Sequence, residues 1–84
     1  MMNNDLELIY RFAKKHNIAF NYREDFRHGI INAYVVAGES TLNYTLYTDD
    51  GAKRISICGD VRTELGIDKA LVYFEELALL KGAF

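Results

Sequence analysis

The chain contains no proline, no tryptophan, a single cysteine and two histidines in 84 residues. Each scarcity excludes something. Cys58 alone cannot form an intramolecular disulfide, and together with His16 and His28 it falls short of the four ligands of a structural zinc site. No metal and no other cofactor is expected, and a reducing, cytoplasmic setting follows by default. With no proline, low-complexity run or internal repeat, nothing marks a linker, so residues 1–84 read as one domain. No apolar run approaches the ~20 residues that span a bilayer. The opening "MMNNDLELIYRF" puts acids and amides where a secretory signal needs a basic start and an apolar run. A basic excess is missing too: the formal charge is −2, so duplex nucleic acid is a poor partner.

What is present is ordinary globular material, 50% hydrophobic and 26% charged, near the lower size at which a core suffices without staples. In "NDLELIYRFAKKHN", Leu6, Ile9, Tyr10, Phe12 and Ala13 share one side of a helical wheel, and Glu7, Arg11, Lys14 and Lys15 the other. Asn4 is the expected N-cap, and the helix ends near His16 or Asn17. "IAFNYR" alternates, with Ile18, Phe20 and Tyr22 on one face and Ala19, Asn21 and Arg23 on the other, which is the period of a half-buried strand. "EDFRHG" turns the chain, and "IINAYVVA", "TLNYTLYT" and "KRISIC" follow as strands. A turn at "AGES" opposes Val35 to Leu42, Ala33 to Tyr44 and Ile31 to Leu46. A tight Asp50-Gly51 turn opposes Leu46 to Ile55, Tyr44 to Ile57, Tyr47 to Arg54 and Asn43 to Cys58. Both turns send the same residues inward. Asp60 then caps a short helical turn ended by Gly66, and "IDKALVYFEELALLKG" forms a second helix with Asp68 as N-cap. The predicted architecture is α+β, in the order α-β-β-β-β-α: a four-stranded antiparallel meander with two helices packed on one face.

The order of elements resembles that of double-stranded-RNA-binding domains, in order alone. The lysine cluster those domains carry at the start of the last helix is missing, since "GIDKALV" supplies only Lys69 beside Asp68.

Chemistry-bearing patterns are sparse. Asp49-Asp50 is explained by its turn, because a calcium loop needs more oxygen ligands and a closing glutamate. His16 lies at the end of the first helix, where an imidazole can meet unpaired carbonyls. Glu75 and Glu76 are adjacent and diverge by about 100° on a helix. No nucleophile elbow, phosphate-cradling loop or two-histidine metal helix occurs, so no catalytic residue is assigned and an enzyme is not expected.

Two surfaces stand out. The outer sheet face collects Asn32, Tyr34, Asn43, Tyr47 and Arg54, with Phe26 as an anchor in the adjoining loop, and these are assigned to partner binding. Tyr, Asn, Ser and Arg are the adaptable residues of contact surfaces. The second surface is the back of the last helix, where Val72, Tyr73, Leu79 and Leu80 extend the apolar character beyond the core stripe and suggest a homodimer contact. The leading expectation is a small non-catalytic interaction protein (an adaptor, regulator or stoichiometric inhibitor) whose open sheet face and adjoining loop bind another protein. Compact inhibitors encoded by phages and other mobile elements fit that description. The alternative is a single-stranded nucleic-acid module, with Tyr34 and Tyr47 as stacking platforms and Arg23, Lys53 and Arg54 near phosphates. A small-ligand or enzymatic site between helices and sheet is a third.

Overall fold

The first helix, α1 (Asn4–His16), is capped by Asn3, one residue before the expected Asn4, in a computed structural model that describes residues 3–84. The reason is local: Asn3 has extended backbone and its Oδ1 accepts the Leu6 amide at 2.8 Å, satisfying a donor that has no intrahelical partner. Asn17 closes the helix in the left-handed conformation. Leu6, Ile9 and Ala13 are buried, as the wheel requires, and Glu7 pairs with Arg11 at 3.1 Å.

Five strands follow as an antiparallel meander in sequential order: β1 (Asn21–Asp25), β2 (Ile30–Ala37), β3 (Ser40–Tyr47), β4 (Lys53–Ile57) and β5 (Asp60–Val61). The β2–β3 register is the expected one, with Val35 opposite Leu42, Ala33 opposite Tyr44 and Ile31 opposite Leu46. The β3–β4 register differs by two residues. Tyr44 faces Ile55, Thr45 faces Arg54, Leu42 faces Ile57 and Asn43 faces Ser56. The turn sets this. The Tyr47 amide donates to the Ala52 carbonyl at 2.8 Å and the Gly51 amide to the Tyr47 carbonyl at 2.9 Å, which closes a loop of Thr48–Gly51. Asp50 Oδ1 accepts the Ala52 amide at 2.9 Å, and Gly51 takes the left-handed backbone (φ 75°) that ends such a loop. A two-residue slip keeps every side chain on its own face, so the inward set is unchanged.

Asp60 does not cap a helix. It begins β5, joined to β4 through Cys58 and Gly59, whose φ values are both positive (52° and 86°). Such a pair makes the mirror-image two-residue turn suited to twisted hairpins. Cys58 is therefore exposed at a turn rather than on the sheet face opposite Asn43. A 3-10 turn (Thr63–Leu65) then leads directly into α2 (Gly66–Leu80). Asp68 lies in the first turn of α2, not at its N-cap, because the break between the 3-10 turn and the helix falls two residues earlier, at Gly66 (φ 72°, ψ 165°). Its carboxylate still complements the helix dipole there.

Both helices cover the inner sheet face. Ile67, Ala70, Leu71, Phe74 and Ala78 of α2 meet Leu6, Ile9 and Ala13 of α1 and Ala33, Val35, Leu42, Tyr44, Ile55 and Ile57 of the sheet in one buried cluster. Phe12 and Phe74 bring the helices together with ring centroids 5.7 Å apart. Among the described residues the outer sheet face carries no layer, and that leaves it as the candidate site.

Candidate functional site

The strand registers lay the outer face out in rows. One row crosses four strands as Arg23–Asn32–Thr45–Arg54. The next reads Asn21–Tyr34–Asn43–Ser56–Val61, and the row at the opposite margin reads Asp25–Ile30–Tyr47. Asn32 is the hub: its amide nitrogen is shared among Asn43 Oδ1 at 2.7 Å, the Tyr44 carbonyl at 3.0 Å and Thr45 Oγ1 at 3.2 Å. Asn21 donates to the Tyr34 carbonyl at 3.3 Å. The middle of the face is thus a pre-ordered array of amides and hydroxyls.

Two shallow depressions meet at Asn32. One, of about 380 Å³, is lined by Asn32, Thr41, Asn43, Thr45, Arg54, Ser56 and Gly59. The other, of about 500 Å³, is lined by Phe20, Asn21, Tyr22, Arg23, Asn32 and Tyr34. Each contains one arginine. Neither Arg23 nor Arg54 has an acidic partner within 4.0 Å among the described residues, whose ion pairs are Glu7–Arg11, His16–Glu75, Asp25–His28, Asp5–Lys53 and Arg62–Glu64.

Of the residues assigned to partner binding, Asn32, Tyr34, Asn43, Tyr47 and Arg54 stand on this face, with Tyr34 40% and Tyr47 39% exposed. The two tyrosines do not adjoin. Four residues along the strand and one strand across separate them by about 14 Å. The expected pairing of Tyr47 with Arg54 is replaced, since Arg54 faces Thr45 and Tyr47 closes the loop with Ala52. Phe26 is 65% exposed in the 3-10 turn Phe26–His28, at the Tyr47 end of the sheet. That turn is stiffened by Asp25, whose side chain accepts the His28 amide and meets its Nδ1 at 2.8 Å. Hydrogen bonding to His28 holds the Asp25 carboxyl below its usual range. Lys53 leaves the face altogether. It stands opposite Leu46 on the inner side, and its Nζ bonds Asp5 Oδ2 at 2.7 Å.

Arg23, which the alternation of "IAFNYR" already set on the polar side, and the Val36–Thr41 pair also stand on the face; strand alternation alone would have placed Thr41 there.

On the far side of the molecule, Val72 (56%), Leu79 (52%) and Leu80 (85%) are exposed along α2. Tyr73 separates from them, half-buried, with the Arg62 guanidinium 5.6 Å from its ring centroid. His16 packs between Phe12 and Phe84, its ring 4.1 Å from that of Phe84, and its Nε2 lies 2.7 Å from Glu75 Oε2. This contact joins α1 to α2. Among the described residues no helix is long and apolar enough to cross a membrane, and no group of three or more His, Cys, Asp and Glu could hold a metal ion.

Comparison with known proteins found no matching family model, no matching curated protein and no matching solved structure.

Proposed function

We propose that the chain is a small non-catalytic interaction module, an adaptor, regulator or stoichiometric inhibitor, that docks its uncovered sheet face and the Phe26 turn on a partner protein. The carrying observation is that face. It is continuous, bears no covering layer among the described residues, and presents Tyr34, Asn43, Tyr47 and Arg54 around amides already fixed by the hydrogen bonds of Asn32. Pre-ordered amide, hydroxyl and tyrosine groups lose little conformational freedom on contact, which favours binding. The nucleic-acid alternative is weakened by the loss of Lys53 to Asp5 and by the ~14 Å between the two stacking candidates. A second contact, with another copy of this chain, is proposed for the Val72–Leu79–Leu80 stripe, because three large apolar side chains are exposed on one helix.

The test is capture of the partner from cells that contain the chain. Tyr34→Ala combined with Tyr47→Ala should leave the melting temperature nearly unchanged and abolish capture. Full capture by the folded double variant would reject the assignment.

A further inference from the structure

The Arg23–Asn32–Thr45–Arg54 row supports a narrower statement, which rests on the sheet-face reading. We propose that the partner is acidic, and that it lies across the strands and places one carboxylate on Arg23 and another on Arg54. Three interstrand steps put the two arginine positions about 14 Å apart. Arg23 and Arg54 are both exposed, and neither has an acidic partner within 4.0 Å among the described residues, in a chain whose formal charge is −2. Glu24, next to Arg23 along β1, points to the other face and accepts from the Tyr22 hydroxyl, and Asp25, two positions beyond Arg23 on the same face, is engaged by His28. An unpaired arginine presents a planar fork that carboxylates match bidentately.

Between the two cations the face offers neutral groups only: Asn32, Thr45, Asn43 and Ser56. A partner that seats two carboxylates therefore finds donors and acceptors between them and no like charge. Phosphates would also suit the arginines, but a strand of nucleic acid needs a cationic track and bases stacked in succession. Two arginines and two widely separated tyrosines provide neither.

The experiment uses the full chain, isotopically labelled, titrated with poly-L-glutamate and separately with oligothymidylate while the arginine side-chain N–H and Asn32 amide resonances are followed. Poly-L-glutamate should shift both arginine signals and that of Asn32. Arg23→Gln and Arg54→Gln should each weaken the binding about threefold to tenfold without altering the melt. No response at these groups, or tighter binding of oligothymidylate by them, would overturn the proposal. Partner capture separates the two layers. If Tyr34→Ala with Tyr47→Ala abolishes capture while Arg23→Gln with Arg54→Gln preserves it, the acidic partner is wrong and the sheet face stands; if neither pair weakens capture, both fall.

Discussion

Replacing Tyr44 by phenylalanine should change the stability of the protein in opposite directions at neutral and at alkaline pH. Tyr44 is fully buried, its hydroxyl donates to Asp5 Oδ2 at 3.1 Å and accepts from Asn3 Nδ2 at 3.3 Å, and Lys53 Nζ reaches the same Asp5 oxygen. These contacts pin the start of α1 to the sheet. Burial, opposed by the Asn3 hydrogen bond and aided by the Asp5 charge, pushes the phenol from its ordinary 10.0 up to about 12. A folded-state pKa above the unfolded one means that the stabilisation is complete below pH 10 and is lost as pH rises toward 12. At about 1.4 kcal/mol per pH unit, that loss is on the order of 3 kcal/mol. At neutral pH, Tyr44→Phe deletes the hydroxyl but leaves Asp5 its lysine and Asn3 its access to water, at a cost of about 1 kcal/mol. The stabilities should therefore cross between about pH 10 and pH 12, with the phenylalanine variant the more stable above the crossing. Urea denaturation followed by far-UV circular dichroism at a series of pH values measures both curves. Parallel curves would mean that the folded protein does not hold the Tyr44 phenol protonated above pH 10.

Cys58 holds a left-handed φ of 52° in the first position of its turn, so Cys58→Asn should raise stability by about 0.5–1 kcal/mol and Cys58→Val should lower it by about 1–2 kcal/mol; thermal melting decides, and a stabilising valine would contradict the turn geometry. Asn3→Ala removes both the α1 cap and a hydrogen bond to Tyr44 and should cost about 1–2 kcal/mol in urea unfolding; a neutral result would mean that the cap contributes nothing. Sedimentation should find the wild type dimeric through the exposed α2 stripe and Val72→Glu monomeric with an unchanged fold, whereas a monomeric wild type would remove the homodimer proposal.

Both helices, four of the five strands and the two faces of the sheet were legible because alternation sets parity, and parity decides which side chains meet the helices, although the first strand runs Asn21–Asp25 and not Ile18–Arg23. Pairing partners were a different matter. In both the expected and the observed β3–β4 registers Tyr44 faces an isoleucine, Ile57 or Ile55, so the apolar pattern does not distinguish a two-residue step. Loop hydrogen bonding does, and the left-handed Gly51 with Asp50 bonded to Ala52 ends a four-residue loop instead of forming a two-residue one. The fifth strand was hidden by its length and by a Cys-Gly turn in place of the usual Asn-Gly. The site inherited both the success and the error. Its composition followed from parity, while the row that aligns Arg23 with Arg54 depends on the true register, since the expected one set Arg54 against Tyr47.

Docking through the open sheet face would bring the partner within reach of Asn43. A photo-activatable cross-linking side chain introduced at Asn43, in the middle of that face, and separately at Arg11, on the solvent side of α1, tests it directly in cells that contain the chain. Irradiation should yield a covalent adduct with a partner protein from position 43 and none from position 11. Adducts from position 11 with none from position 43 would contradict that docking.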